Sequence, residues 1–283
     1  MFSRISRLYE QFRDSDVNDP LLETLKVLDL ETKGDLSKLE SGAALSDDGR
    51  IKEIVKKREQ GVPIQYILNK AVFMGREFYC TNDSLIPTPE TEALVQLSSE
   101  IISKRQTTKG DQLVIDIGTG CGNLSVCLGL LTKDTRIIAT DISEKALDVA
   151  RTNIRKYGLE KRIEIVCGDL FEPFNIEDYG EKVDLIICNP PYMPTGSVNR
   201  LPDEIRDHEP RIALDAGPFG VDLFVRLLHD AKEYLKPDGN LVIEIGERQE
   251  RIVKRLIRKE GGYGSIGTFD HNDEVRFLVL ARD

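Results

Sequence analysis

Apolar positions recur along this chain in two rhythms, and the rhythm changes near residue 70. Before that point Phe2, Ile5, Leu8, Tyr9 and Phe12 repeat at helical spacing. Leu21, Leu22, Leu25 and Leu28 follow, then Ile51, Ile54 and Val55. The spacing predicts short helices packed as a small bundle over residues 1–70, with loops at Asp16–Asp19 and Ser41–Arg50. In residues 71–88, Val72-Phe73 and Phe78-Tyr79 flank Met74-Gly75-Arg76, which predicts a linking β-hairpin. A helix should follow, with Thr88 as N-cap, Pro89 as first residue, and Glu90 and Glu92 in the turn where negative charge meets the helix dipole.

Residues 89–283 then read as one α/β domain. Strands are predicted near 112–117, 135–141, 162–167, 183–188 and 240–246, and helices near 122–132, 144–157, 218–235 and 248–260. Ser143 can cap the second of these helices and Gly158 can end it, while residues 193–217 read as a loop. Near-continuous apolar strands between helices predict a parallel sheet covered on both faces. Tyr263–Phe269 and Val275–Leu280, joined by Asp270-His271-Asn272-Asp273, predict an antiparallel pair at its end. The expected fold is α/β, a seven-stranded, mostly parallel, Rossmann-like sheet with a small N-terminal helical domain joined by a β-hairpin.

Composition narrows the class. A hydrophobic content of 40% supports a packed core, and no apolar run approaches the roughly 18 residues of a membrane span. The first ten residues show no apolar segment of the secretory kind, so a cytoplasmic location is expected. A net charge of −10 disfavours a polyanionic partner, and Lys52, Lys56, Lys57 and Arg58 read as a solvated helix face. Cys80, Cys121, Cys127, Cys167 and Cys188 lack metal spacing and read as reduced thiols, four of them in or beside core elements. His208, His229 and His271 form no spaced cluster, and no metal is expected.

Chemistry gathers at the predicted strand ends. Residues 114–122 read Val-Ile-Asp-Ile-Gly-Thr-Gly-Cys-Gly, a strand running into a glycine turn. The spacing is G-x-G-x-G, not the dinucleotide G-x-G-x-x-G. Asp116, ahead of the first glycine, suits a cationic or amino-acid ligand better than a pyrophosphate. Asp141 closes the next strand and can accept from ribose hydroxyls. The third run ends at Gly168-Asp169-Leu170, where an acid can accept from an adenine amino group. An amino acid, a ribose and an adenine are the parts of S-adenosylmethionine. The fourth run, Val183–Cys188, ends in Asn189-Pro190-Pro191-Tyr192. Two prolines stiffen this turn and remove two N–H donors, leaving backbone carbonyls and the Asn189 side-chain oxygen as acceptors. Such a corner can hold a planar NH2 by both hydrogens beside an aromatic face.

These motifs together resemble the class I S-adenosylmethionine-dependent methyltransferases. Further segments, Gly61-Val62-Pro63-Ile64-Gln65-Tyr66-Ile67, Phe73–Phe78, Leu85-Ile86-Pro87-Thr88-Pro89-Glu90-Thr91-Glu92, Glu209–Leu214 and Leu235–Gly239, resemble the release factor glutamine methyltransferase family over roughly residues 50–283. The family usually carries arginine where this chain has Thr88. The resemblance implies methyl transfer from S-adenosylmethionine to a glutamine side-chain amide of a peptide chain release factor, with the N-terminal helices docking that substrate and no nucleic acid or membrane partner. It implies that the cofactor lies on Asp116, Gly118, Thr119, Gly120, Cys121 and Gly122, and on Asp141, Asp169, Leu170 and Asn189. It places Asn189, Pro190 and Tyr192 at the reaction, and Asn189, Pro190, Pro191, Tyr192 and Glu209 against the substrate. A ribosomal-protein glutamine methyltransferase, a nucleic-acid amino-group methyltransferase and a non-catalytic binder of the cofactor are the competing readings.

Overall fold

The structure, a computed structural model, describes residues 2–15, 17, 19–32, 48–105 and 112–283. Four helices come first: α1 (Phe2–Arg13), α2 (Pro20–Thr32), α3 (Asp48–Glu59) and α4 (Ile64–Leu68). Leu8, Phe12, Val27, Leu28, Ile51, Ile54 and Ile67 form their common core. The Phe2 side chain, Asp16, Asn18 and the expected loop over 41–47 lie outside the described residues. Asp48–Arg50, expected in that loop, already form the first turn of α3.

Two expectations for this bundle need correction. Leu21, Leu22 and Leu25 are 58%, 47% and 51% exposed, so these three face outward, while Leu28, the fourth of the expected stripe, is buried beside Val27. Arg58 is not solvated. It is 8% exposed, and its guanidinium meets Glu23 of α2 (Nη2 to Oε1, 3.0 Å) and Glu204 (Nη1 to Oε1, 2.9 Å). A buried cation must have such partners, and burying Glu23 to meet it turns those three leucines to the other side.

The hairpin is β1 (Lys70–Phe73) and β2 (Arg76–Tyr79). Met74 and Gly75 at its tip have φ of +49° and +66°, the two positive values of a type I′ turn. Phe73 and Phe78, both 0% exposed, pack edge to face into the core of the large sheet. The Tyr79 N–H donates to Asn153 Oδ1 (2.7 Å), and Asn153 Nδ2 donates both to the Tyr79 carbonyl (2.9 Å) and to that of Cys121 (2.8 Å). One side chain thus clasps the hairpin to the glycine turn.

A single 3-10 turn, Pro89–Thr91, leads into α5 (Glu92–Arg105). Thr88 has the extended backbone of an N-cap, yet its hydroxyl caps no N–H and instead lies 3.1 Å from Thr91 Oγ1. Glu92 accepts from the Met74 N–H at 2.6 Å, which ties α5 to the hairpin.

The remainder alternates: β3 (Gln112–Ile117), α6 (Asn123–Leu131), β4 (Thr135–Asp141), α7 (Glu144–Lys156), β5 (Ile163–Cys167), α8 (Ile176–Tyr179) and β6 (Val183–Cys188). Ser143 caps α7 through the Ala146 N–H, and Gly158, at φ +67°, follows its end. The segment after β6, expected as a plain loop, contains α9 (Thr195–Val198), α10 (Asp203–Arg206) and a 3-10 turn at Arg211–Ala213. Then come α11 (Asp222–Tyr234), β7 (Leu235–Glu244), α12 (Glu250–Glu260), β8 (Tyr263–His271) and β9 (Glu274–Arg282). β7 starts earlier than its apolar run because Leu235 pairs with Val183 before a register shift.

The large sheet has the order β5-β4-β3-β6-β7-β9-β8, with β9 antiparallel to both its neighbours and the other pairs parallel. Alternate strand residues feed two cores. Ile115, Ile117 and Ile186 face one with Phe224 and Leu227 of α11, and Val114, Leu185 and Ile187 face the other with Leu94 and Ile102 of α5. Strand order reverses between β3 and β6, and in open parallel sheets ligands bind beyond the strand ends at this reversal.

Candidate active site

Register assembles the site. Ile117 pairs with Cys188, so Gly118 and Asn189 leave the sheet side by side at the reversal. Cys188 pairs with Ile243, which brings Glu244 next to Asn189 on the other flank. Between the strand ends lies a cavity of about 390 Å³, within the usual range for small-molecule sites.

Its β3–β4 side is held mainly by backbone groups. The N–H groups of Gly118 and Thr119 donate to the Thr140 carbonyl at 2.8 and 2.9 Å. The Asp141 carboxylate is fixed at both oxygens, Oδ2 by the Gly120 N–H and Oδ1 by the Ser143 N–H, each at 2.9 Å. Burial raises its pKa, against those hydrogen bonds. Gly122 has φ +81°, and a Cβ there would stand 3.2 Å from that of Ala150. Only glycine lets α6 start so close to α7.

Gly118, Thr119, Gly120, Cys121, Asp141, Asp169 and Leu170 all line the cavity. Asp116 and Gly122 do not; they support the wall from behind. Asp116 is fully buried, and its Oδ2 accepts from Thr119 Oγ1 (2.7 Å) and Ser125 Oγ (2.6 Å). Burial pushes its pKa up to about 6. Among the described residues nothing hydrogen-bonds its Oδ1 or the Thr140 hydroxyl, both buried. Asp169 meets Arg226 of α11 at 2.8 Å, an arginine on the cavity wall that sequence reasoning missed. Burial pushes the Cys121 thiol up to about 12, so it stays protonated.

The β6 side is held differently. Asn189, Pro190 and Pro191 line the cavity. Asn189 Nδ2 donates to Thr91 Oγ1 at 3.1 Å, and Thr91 Oγ1 donates to Glu244 Oε2 at 2.8 Å. Among the described residues nothing donates to Asn189 Oδ1 or to the Pro190 carbonyl. Tyr192 does not line the cavity. Its hydroxyl meets Arg276 Nη2 at 3.2 Å, its carbonyl accepts from Gln249 Nε2 at 2.7 Å, and its ring lies so close to Gly246 that a Cβ there would stand 2.9 Å from Cδ2. Glu209 also lies off the cavity wall. Its carboxylate accepts from the Ile86 N–H at 3.3 Å, and burial pushes it up to about 7. Thr88 and Thr91 line the cavity, so the turn before α5 forms part of its wall.

Thr91, Glu244, Gln249 and Arg276 were not singled out from sequence. Glu244 could have been, since it ends an apolar run, Leu241-Val242-Ile243, as Asp141 ends Ile137-Ile138-Ala139-Thr140. Among the described residues no cluster suited to a metal ion is present.

Residues 92–201 match the methyltransferase small domain family. The release factor glutamine methyltransferase of Bacillus cereus is 31% identical over 276 residues, covering 96% of this chain and 94% of that protein. The chain belongs to the release factor glutamine methyltransferase family. Its counterpart from Moorella thermoacetica is 38% identical over 228 residues, covering 81% of this chain and 77% of that protein. Among solved structures, the N-terminal domain of human METTL16 in complex with SAH shares the fold, with a TM-score of 0.51 at 19% identity over 70% of this chain and 72% of that one. The cofactor of this family member is S-adenosylmethionine, and the site suits it. Among the described residues the Thr140 hydroxyl on the cavity wall has no partner, Asp141 is pinned at a strand end, and a glycine turn allows close approach. No described helix is long and apolar enough to cross a membrane.

Proposed function

We propose that Asn189 Oδ1 and the Pro190 carbonyl each accept one N–H of a substrate glutamine amide, as this family member transfers methyl to that nitrogen in a peptide chain release factor. S-adenosylmethionine, when bound, supplies a methyl carbon made electrophilic by its sulfonium. An amide nitrogen is a poor nucleophile because its lone pair is delocalised into the carbonyl. Alignment and electrostatics are therefore what the protein has to provide. Two acceptors aimed at one NH2 fix its direction and favour the positive charge that builds on it. Asp141 would hold the ribose, Asp169 and Leu170 the adenine, and the turn Gly118–Gly122, backed by Asp116, the amino-acid part. Pro191 stiffens the corner. Tyr192 braces it from behind, and Glu209 orders the 84–87 edge along which the substrate backbone would lie.

The carrying observation is the Asn189 side chain: its NH2 is taken by Thr91, which leaves an oxygen on a wall shared with the glycine turn. The N-terminal helices dock the release factor in this reading, and exposed Leu21, Leu22 and Leu25 support it. Its place of work is the cytoplasm. Mass spectrometry of a release factor co-expressed with the chain should show one added methyl on a glutamine. An unmodified factor, or methylation of RNA or a ribosomal protein instead, overturns the reading.

A further inference from the structure

The orientation of a carboxamide is decided by its partners, since its two ends differ only in donating or accepting. Asn189 has a partner chain that leaves no choice. Glu244 is 2% exposed and, when ionised, can only accept. Thr91 therefore donates its single hydroxyl proton to Glu244 Oε2, 2.8 Å away. Having no proton left, its oxygen can only accept from Asn189, 3.1 Å away, and from Thr88, also 3.1 Å away. Only the NH2 of Asn189 can fill that place. The same carboxylate holds the other end of the corner: its Oε1 lies 3.5 Å from Arg276 Nη2, which reaches the Tyr192 hydroxyl.

We infer that Glu244 is a positioning residue for methyl transfer: through Thr91 it forces Asn189 to turn its oxygen, not its NH2, toward the substrate amide. Glu244 touches neither substrate nor cofactor in this assignment. The inference rests on the proposed role of Asn189 and adds what sets its polarity. It also gives the Pro-Glu-Thr-Glu turn a task beyond starting a helix, because Thr91 is the link. Thr88 supports that link with its own hydroxyl, 3.1 Å from Thr91 Oγ1.

The decisive variant is Glu244→Gln, which keeps shape and can still accept from Arg276 through Oε1. Its NH2 would donate to Thr91, releasing the Thr91 proton to Asn189 or to Thr88; where it goes to Asn189 the carboxamide oxygen turns away from the cavity, so the one-way setting imposed by the carboxylate is lost. Turnover at saturating substrates should fall about 100-fold, the scale of losing one oriented polar group at a reacting centre. Cofactor affinity, KM for the release factor and thermal midpoint should stay near wild type. Thr91→Val should lose turnover likewise, and Thr91→Ser should restore it. Adding Glu244→Gln to Thr91→Val should cost little more, since both break one chain. Wild-type turnover in Glu244→Gln, with Asn189→Ala inactive, overturns the positioning role alone. Full turnover in Asn189→Ala overturns the reading of the corner itself. Should Glu244→Gln fail to fold, the threonine pair decides: equal turnover in Thr91→Val and Thr91→Ser overturns the inference.

Discussion

The two sides of the cavity differ in what holds the polar groups that face it: mainly backbone N–H groups on one, side chains on the other. On the glycine-turn side, Asp141 is fixed by the N–H groups of Gly120 and Ser143, and the turn itself hangs on the Thr140 carbonyl. On the Asn189 side, the hydrogen bonds that hold Asn189 and Tyr192 come from side chains: Thr91, backed by Glu244, and Arg276 and Gln249. Backbone amides carry no rotamers and cannot change protonation state. Side-chain relays do both. The first side is suited to gripping a ligand of constant shape, and the second to setting one polarity at one atom.

The contrast is breakable. The largest expected effect is on Asn189→Ala: turnover falls about 1,000-fold, the upper part of the range for removing one oriented group at a reacting centre, while calorimetry finds cofactor affinity near wild type. Next is Asp141→Ala, where cofactor affinity should drop about 10- to 100-fold, the scale of hydrogen bonds to a charged group. Its turnover at saturating cofactor should hold. If both variants lose binding and turnover together, the cavity is one mechanical unit and the contrast fails. Gly122→Ala should lower stability by about 1–3 kcal/mol, read from thermal unfolding, because it puts a side chain at positive φ against α7.

The smallest effect is a pH limb carried by Glu244, told apart from the titration of Asp116 and Glu209 by its loss in Glu244→Gln. Burial pushes Glu244 up to about 7, with Thr91, Arg276 and Tyr192 opposing the rise and Glu90 adding to it; the buried Cys188 thiol also faces it. Above that pH the carboxylate accepts and Asn189 is set. Below it the protonated acid can donate to Thr91, as a glutamine would. Turnover at saturating cofactor should fall about tenfold from pH 8 to pH 6, following the ionised fraction, and Glu244→Gln should abolish this limb. Stability should run the other way. A carboxyl whose folded pKa is raised binds more protons folded than unfolded, so this group's contribution to stability declines as pH rises between its ordinary value and about 7. A flat turnover profile over that window would leave Glu244 without control of Asn189.

The same contrast explains what could be read from the chain. The glycine turn, Asp141 and Ser143 lie within one strand-helix-strand unit, and the spacing of residues 114–143 already contains their geometry. The parallel strands were legible because they are buried on both faces and therefore almost uniformly apolar. Thr91 lies 98 residues from Asn189 and 153 from Glu244, and no local pattern marks such a partner. Arg58 was misread for this reason. Its helical spacing with Lys52 and Lys56 suggests a wet face, while its partner Glu204 is 146 residues away. The outward leucines of α2 follow from the same ion pair, since a helix cannot bury Glu23 and every leucine at once. Tyr192, expected against the substrate amide, is held off the cavity wall by Arg276 and Gln249, 84 and 57 residues away.

Asn153 has a consequence for how this molecule can be divided. Its carboxamide joins the Tyr79 backbone to the Cys121 carbonyl, so the edge of the hairpin serves as a buttress for the glycine turn. A fragment beginning after residue 80 would leave that carboxamide half unpartnered in the interior, and the turn would lose one of its fixed points. The large sheet is therefore not a severable module: cutting away what precedes it loosens the glycine turn at its first helix.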